Sequence, residues 1–253
     1  MPADRAGDGF DVRSLSVTYR DGFVVGAHEH PWGQLVYATS GVMQVSAGNT
    51  VWFVPPTRSV WLPPQRQHQI RMQGDVSMRT LYVAPWRTTN LSNEVMAIEV
   101  SPLLRELVLH ILEIAMLDPH KVEHAHLAAV LIDMIAAAPP GQLHLPLPAE
   151  RRSRAAAQWF LANPAERHGL QSVAHDVGAS LRTLQRHFVQ ETGISLEAWR
   201  TKARLIHALV CLDRGERVTT AGLACGYDNT SAFIAAFKRQ FGVTPGRYLA
   251  VDA

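Results

Sequence analysis

Residues 170–191, LQSVAHDVGASLRTLQRHFVQE, and residues 218–240, VTTAGLACGYDNTSAFIAAFKRQ, decide the fold of this chain. In each stretch a short apolar segment ends at a glycine, Gly178 or Gly226, and a polar residue then begins a second helical pattern. A small residue in the first segment, such as Gly222, lets two helices pack closely. These features predict two helix-turn-helix motifs, each with a second helix that projects from the surface.

A continuous helical pattern from Ser195 to Asp213 joins the two motifs. At about 1.5 Å per residue such a helix spans roughly 28 Å. Successive major-groove sites on one face of B-DNA lie about 34 Å apart. A rigid helix of this length can therefore place two recognition helices in adjacent grooves of one duplex.

The surrounding sequence carries further patterns of the same kind. They are RTLQRHF at 182–188, ETGIS at 191–195, ARL at 203–205, GY at 226–227 and FKRQFGVTP at 237–245. The stretch from about 150 to 250 thereby resembles the DNA-binding domain of the AraC/XylS family of transcription regulators. The resemblance implies an all-α domain, residues 146–253, that binds double-stranded promoter DNA.

The same resemblance places Arg182, Gln185 and Arg186 on the base-facing side of the first recognition helix. The chemistry agrees, because arginine pairs with guanine and glutamine with adenine in the major groove. Solvated side chains or phosphate contacts are the alternative. The predicted DNA-contacting residues are Ser180, Arg182, Thr183, Gln185, Arg186, Asn229, Thr230, Ser231, Lys238 and Arg239.

The second recognition helix carries a less polar set of side chains. Its expected exposed positions are Thr230, Ser231, Ala235 and Ala236, and charge is confined to Lys238 and Arg239. Alanine can touch a thymine methyl group but makes no bidentate pair. We therefore expect this helix to anchor on phosphates more than it selects sequence.

Composition supports a two-part molecule. The 253 residues suffice for two domains, and 47% hydrophobic residues suffice for a core. Residues 150–253 carry 14 basic and 9 acidic side chains, whereas residues 1–149 carry 10 and 13. This asymmetry favours a polyanion as the partner of the C-terminal part, although alone it is a weak signal.

The N-terminal part has the pattern of short strands. Apolar alternation over residues 34–37, 42–45 and 51–54 is interrupted by turn residues at intervals near ten. Such spacing predicts an all-β barrel or sandwich over residues 1–92.

Within this region, histidines follow a recognisable spacing. His28 and His30 precede Gln34 between two glycines, and His68 follows a proline pair. This arrangement resembles the two motifs of the cupin superfamily, with Gln34 where enzymes of that superfamily carry glutamate. The stretches at 34–37 and 60–64, together with His68, are also similar to those of regulators of efflux transporters. The resemblance implies a cupin-like effector-sensing barrel.

Strand geometry suggests what the histidines do. Residues two apart point to one face of a strand, so His28 and His30 can share the barrel interior, and His68 can join them from a neighbouring strand. Three imidazoles suit a divalent transition metal, a candidate cofactor, with Gln34 as a weak fourth ligand. A metal-free effector pocket is the alternative. The predicted effector-binding residues are His28, His30, Gln34, Trp61 and His68.

Two amphipathic helices follow the barrel. One begins behind Ser101-Pro102, and the other spans Val122 to Ala137. They either cover the barrel or form a homodimer interface. A proline-rich linker then leads to a domain boundary near residue 145, so residues 93–145 are predicted as a helical dimerisation region with its linker.

The sequence therefore predicts an α+β two-domain protein: an N-terminal cupin-like β-barrel with following helices and a C-terminal double helix-turn-helix domain. Its expected function is to couple a small-molecule or metal effector to promoter binding, as a cytoplasmic homodimer that can contact RNA polymerase and has no membrane partner. The alternative is a metal-dependent cupin enzyme, an oxygenase or isomerase, which the amide of Gln34 disfavours. Cys211 and Cys225 are expected to be small core residues, with a redox pair as the alternative.

Overall fold

A computed structural model describes residues 9–139, 141, 143–166 and 169–250. The described chain divides into two compact units between His144 and Leu145, and the short segment Asn49–Val51 is counted with the second. This division falls next to residue 145, where the sequence predicts the domain boundary. Pro140, part of the predicted linker, lies outside the described residues. None of the described helices is long and apolar enough to cross a membrane.

The N-terminal unit is built from antiparallel strands in two sheets. The strands are β1 (Val12–Tyr19), β2 (Val24–His28), β3 (Gly33–Val36), β4 (Val42–Ala47), β5 (Thr50–Val54), β6 (Arg58–Leu62), β7 (His68–Gln73), β8 (Val76–Val83), β9 (Met96–Glu99), β10 (Met116–Leu117) and β11 (His144–Pro146). The six-stranded sheet has the order β10-β1-β8-β3-β6-β9, and the five-stranded sheet has the order β11-β5-β4-β7-β2.

The barrel extends beyond the predicted limit at residue 92. Residues Met96–Glu99 form β9, which pairs antiparallel with β6, so the start of the predicted helical region is strand. The four residues of β9 show no alternation, since Ala97 and Ile98 are adjacent and both buried, so the sequence pattern does not distinguish this strand from a loop.

Strand alternation separates two apolar clusters on either side of the six-stranded sheet. On β3 and β6, Leu35 pairs with Trp61 and Gln34 pairs with Leu62, so neighbouring residues point to opposite faces. Leu62 and its neighbours form one buried cluster between the sheets. Leu35 and Trp61 belong to the other cluster, which faces the helices that follow the barrel.

Two helices cover this outer face. Helix α1 (Pro102–Ile114) begins at Ser101, whose hydroxyl accepts a hydrogen bond from the Leu104 amide, and α2 (Val122–Ala137) has the predicted bounds. Leu107 and Ile111 of α1 are buried against the strands and α2. The helices therefore cover the barrel, and Leu107 and Ile111 on the apolar side of α1 belong to its core, so they are not available as a homodimer interface.

The C-terminal unit is all helical. Its helices are α3 (Arg151–Ala162), α4 (Leu170–Asp176), α5 (Leu181–Thr192), α6 (Leu196–Asp213), α7 (Val218–Ala224), α8 (Thr230–Phe241) and α9 (Pro245–Ala250). Helices α4 and α5 form the first helix-turn-helix motif, and α7 and α8 form the second. Both motifs lie where the sequence predicts them.

Helix α6 is the centre of this unit. It begins at Ser195, which caps the Ala198 amide, and it buries much of its length, including Trp199 and Leu212. Each motif packs against it. In the second motif α7 and α8 approach so closely that a Cβ atom on Gly222 would lie 3.0 Å from the Phe233 ring. A side chain at this position would crowd the Phe233 ring, so the close approach of α7 and α8 favours a small residue here.

We expect Gly33→Ala to destabilise the barrel. A methyl group at Gly33 would lie 2.2 Å from Cη2 of Trp61, which is fully buried and donates its indole N–H to the Ser92 carbonyl. Overpacking of this kind costs about 1–3 kcal/mol. Urea denaturation of the variant measures the loss. Gly26→Ala is the matched control, because no atom lies within 4 Å of its added Cβ, and equal stability of the two variants would contradict the packing assignment.

Candidate functional site

The first recognition helix, α5, presents two arginines to solvent. Leu184 and Phe188 face the core of the unit, which leaves Arg182 and Arg186, four residues apart, exposed on the other side. Val189 is 51% exposed and lies seven residues after Arg182, on the same side. Sequence reasoning missed Val189, although its helical spacing from Arg182 was available.

The other predicted residues of α5 already have hydrogen-bond partners. Ser180 is the N-cap: its hydroxyl accepts from the Thr183 amide at 3.1 Å and bonds the Thr183 hydroxyl at 2.8 Å. Gln185 donates its amide to Oε1 of Glu197, in the first turn of α6, at 2.9 Å. Gln185 must break its bond to Glu197 before it can pair with a base. Arg182 and Arg186 are therefore the better candidates for base contacts on α5.

The second recognition helix, α8, has a mostly small exposed face. Asn229 is exposed and caps the Ala232 amide at 2.8 Å, Thr230 is half-buried and Ser231 is exposed. Lys238 and Arg239 are exposed in the last turn. This arrangement agrees with anchoring by charge rather than extensive base contact.

One residue of this face was predicted wrongly. Ala236 is buried, 6% exposed, because it lies between Phe233 and Phe237 on the side that packs into the unit. Ala232 is exposed in its place. The exposed face of α8 is therefore made by Ser231, Ala232, Ala235, Lys238 and Arg239.

Part of the positive charge of this unit is structural. Arg200 donates to the Glu166 carbonyl at 2.7 Å, and Arg204 donates to the carbonyls of Pro164 and Glu166 at 3.2 and 2.8 Å. These two guanidinium groups hold the segment after α3 against α6. The basic residues on the recognition helices, rather than the total charge, thus define the candidate nucleic-acid surface.

The segment before α3 is bonded to the first motif. Glu191, at the end of α5, accepts hydrogen bonds from the backbone amides of Ala149 and Glu150, and His187 bonds its other oxygen at 3.1 Å. The amide of Glu150 is the chief cause that lowers the pKa of Glu191. Trp199 donates its indole N–H to the Pro146 carbonyl at 2.7 Å.

A second candidate site lies in the N-terminal unit, where three histidines converge. His28 ends β2, His68 begins β7 as its register partner, and His30 lies just beyond β2. One ring nitrogen of each lies within 4.8 Å of the other two. The predicted convergence is present, but β2 ends at His28 and His30 lies in the segment that follows, so these two histidines do not share one strand as predicted.

Each of these histidines is oriented by a backbone carbonyl. Nδ1 of His28 donates to Gly26, Nδ1 of His30 to Trp32 and Nδ1 of His68 to Arg66, all at 2.8 Å. Nε2 of His68 is buried with no hydrogen-bond partner. Burial lowers the pKa of His30, and it lowers the pKa of His68 to about 4, so both rings are neutral near pH 7.

Gln34 extends the pocket. Its amide nitrogen donates to the Thr80 hydroxyl at 2.9 Å, and Thr80 donates in turn to the Leu35 carbonyl at 3.0 Å. The amide oxygen of Gln34 is thereby turned to Nε2 of His30, at 3.1 Å. The Tyr82 ring packs edge-on to His30 at 5.3 Å. Tyr82 was not predicted; strand alternation on β8 was the available signal.

Trp61 does not belong to this pocket, contrary to the sequence prediction. It pairs with Leu35 on the outer face of the sheet and is fully buried in the cluster beneath α1 and α2. Gln34 precedes Leu35, the partner of Trp61, on β3, and it points the opposite way because consecutive residues of a strand face opposite sides of the sheet. Trp61 is a core residue.

Comparison with known proteins finds relatives for both units of the chain. A family model for the AraC-like ligand binding domain matches residues 14–161, and one for a helix-turn-helix domain matches residues 173–250. The HTH-type transcriptional regulator NimR of Escherichia coli K12 is 34% identical over 223 residues, which cover 88% of this chain and 81% of NimR. RipA of Corynebacterium glutamicum is 38% identical over 103 residues, 41% of this chain and 31% of RipA. A solved AraC-type regulator from Chromobacterium violaceum is 28% identical with a TM-score of 0.39, covering 40% of this chain and 92% of that one.

A ligand-binding barrel joined to two helix-turn-helix motifs defines a one-chain DNA-binding transcription regulator. The matches over both units and along most of NimR give the family. This chain belongs to the AraC family of transcriptional regulators, and the expected α+β two-domain fold is confirmed.

We expect the two recognition helices to differ in how they bind DNA. Arg186→Ala should weaken binding to a selected site by roughly 1–3 kcal/mol and relax preference at one base pair. Lys238→Ala should weaken all sequences alike and reduce the salt-dependence slope by about one unit. Binding to a randomised library at several salt concentrations measures both effects. Uniform loss in both variants would contradict base contact by α5.

Proposed function

We propose that this regulator couples the binding of a divalent transition-metal ion, held by His28, His30 and His68, to its binding of promoter DNA. The observation that carries the proposal is the shared orientation of the three rings. Each donates Nδ1–H to a backbone carbonyl, which leaves Nε2 with its lone pair. Metal-binding histidines typically have their second nitrogen fixed in this way.

The contact between His30 and Gln34 supports a cation in the same place. Neutral His30 uses its single N–H on the Trp32 carbonyl, so its Nε2 presents a lone pair. The amide oxygen that faces it at 3.1 Å also presents lone pairs. Two acceptors turned toward each other repel, and a positive ion bound by both relieves that repulsion. Gln34 would then be the fourth and weakest ligand.

The residues present therefore fit a metal ion. Three imidazoles and an amide oxygen suit a divalent ion such as zinc, nickel, manganese or iron. Bound there, the ion would supply positive charge that favours one conformation of the barrel. The ion changes the affinity for DNA only if it binds one conformation of the regulator, competent for DNA binding, with a different affinity from the other. A metal-free pocket for a small organic effector is the second candidate.

An enzymatic role is a weaker proposal. A cupin oxygenase or isomerase would need a group in the pocket to supply charge or act as a base, and Gln34 is a neutral amide at the position where glutamate would serve. The family points to transcription regulation. We therefore propose that the chain is a regulator and not an enzyme.

Two further proposals concern where the regulator works and what it contacts. It works in the cytoplasm, where promoter DNA lies, and it contacts RNA polymerase if it activates transcription. Control of an efflux transporter stays a prediction.

Metal binding can be tested directly by equilibrium dialysis of protein purified without an affinity tag. We expect about one zinc or nickel ion per chain, and His68→Ala should lower the affinity at least roughly 100-fold, because even outer-shell partners of a metal contribute 10–100-fold. His126→Ala, an exposed histidine on α2, is the matched control and should bind normally. Wild-type protein that binds no ion would leave only the organic-effector proposal.

We also propose that the chain forms a homodimer through α1 and α2. With Leu107 and Ile111 in the core, the most exposed large apolar side chains of α1 and α2 are Leu103 and Val122, at 65% and 67%, followed by Val130 at 43%. A second copy of the chain would cover them and allow two half-sites to be bound with avidity.

The dimer proposal predicts that Leu103→Glu combined with Val122→Glu gives a folded monomer. A buried charge on each side of the interface costs more than the apolar contact contributes. Sedimentation velocity measures the mass, and circular dichroism verifies the fold. Leu223→Glu, at an apolar residue 59% exposed in the C-terminal unit, should leave the mass unchanged. A wild-type monomer, or a double variant that stays dimeric, would refute the assignment.

A further inference from the structure

A hydrogen bond connects the first recognition helix to the helix that follows it. Gln185, on α5, donates a side-chain N–H to Oε1 of Glu197, in the first turn of α6, at 2.9 Å. Because a carboxylate accepts hydrogen bonds and donates none, the side-chain amide of Gln185 must turn its nitrogen, and not its oxygen, toward Glu197. The bond therefore fixes the direction in which this amide faces.

The packing of α5 on α6 holds the two side chains together. The rings of Phe188 and Trp199 are fully buried and meet edge to face, with their centroids 5.6 Å apart. Phe188 lies three residues after Gln185 on α5, and Trp199 lies two residues after Glu197 on α6. The bond between Gln185 and Glu197 is thus placed by a contact in the core of the unit, beside which it lies.

Gln185 is a neighbour of the arginines that are expected to contact bases. It lies three residues after Arg182 and directly before Arg186, and it is half-buried, whereas both arginines are exposed. Gln185 is about 4.5 Å from Arg182 along the helix axis. This spacing is close to the roughly 3.4 Å between base pairs. A glutamine that is not held at this position can therefore reach a base pair beside those that the arginines contact.

We propose that Glu197 is a specificity-determining residue of the first motif, because it keeps the side-chain amide of Gln185 from pairing with adenine. Glutamine recognises adenine by donating to N7 and accepting from the N6 amino group at the same time. A hydrogen bond to a charged acceptor is about as strong as such a pair. Exchanging one for the other yields little net free energy, so the wild-type protein tolerates several bases where a free glutamine would select adenine.

The proposal concerns DNA recognition alone and does not depend on metal binding by the barrel. Selection of duplexes from a randomised library by the full chain tests it. Glu197→Ala frees Gln185 and should select adenine at one position roughly tenfold more strongly than the wild-type protein does. Glu197→Ala combined with Gln185→Ala should lose this preference, which identifies the base pair that Gln185 contacts. At that position the wild-type protein should show no preference for adenine.

Glu197→Gln separates the hydrogen bond from the charge. Both single variants remove a negative charge that repels DNA phosphates, so both should bind all sequences more tightly. Glutamine at this position keeps an acceptor oxygen, and its neutral hydrogen bond is roughly half as strong as one to a carboxylate. Glu197→Gln should therefore gain less preference for adenine than Glu197→Ala. Equal gains would show that Glu197 acts through its charge and would overturn the proposal.

Two other changes in the selected sequence would also contradict the proposal. Loss of a cytosine preference in Glu197→Ala would show that Glu197 itself contacts a base, since a carboxylate accepts from the cytosine amino group. An adenine preference that is present in the wild-type protein and lost in Glu197→Ala would show that Glu197 orients Gln185 for pairing.

Arg186→Ala, measured beside these variants, distinguishes a wrong role for Glu197 from a wrong placement of α5. If Arg186→Ala changes the selected sequence and Glu197→Ala does not, the role of Glu197 is refuted. If neither variant changes it, α5 does not contact bases and the proposal fails with that assignment. Thermal unfolding verifies that each variant is folded, and Glu197 is exposed, so its replacement leaves the core intact.

Discussion

The arrangement of the N-terminal unit depends on the alternation of side chains along strand β3. Consecutive side chains must point to opposite faces of the sheet. Gln34 therefore joins Thr80 and His30 on one side, while Leu35 joins Trp61 under the helices on the other. A shift of one residue would exchange these sets, placing an amide in an apolar cluster and an aliphatic side chain in the pocket. Core and candidate effector site are thus fixed by one register.

The same alternation explains where sequence reasoning succeeded and where it failed. Helices α2 and α6 were predicted with nearly their observed bounds because their apolar periods are long and their ends are marked by caps or prolines. Trp61 was wrongly assigned to the pocket because the face of a residue depends on register, which no single strand reveals. Strand β9 was missed because four residues carry too little pattern.

The candidate sites show a similar division. The convergence of His28, His30 and His68 could be predicted from motif spacing, but the carbonyls that fix each ring could not, since they depend on loop geometry beyond the strands. On α5 the exposure of Arg182 and Arg186 was expected from the family resemblance, and the structure has both exposed. The bond between Gln185 and Glu197 joins residues twelve apart on two helices, so only the packing of α5 on α6 reveals it.

The bonds made by the segment before α3 bear on where the DNA-binding unit can be excised. Glu150 caps the amides of Arg152 and Ser153, the amides of Ala149 and Glu150 bind Glu191, and the Pro146 carbonyl accepts the Trp199 indole. A fragment that begins at Arg151 keeps every helix of the unit but loses the Glu150 cap. It also leaves the buried indole N–H of Trp199 without an acceptor, which alone lowers the free energy of unfolding by about 1–3 kcal/mol. A fragment that keeps all of these bonds accordingly starts by Pro146, several residues before the first helix of the unit.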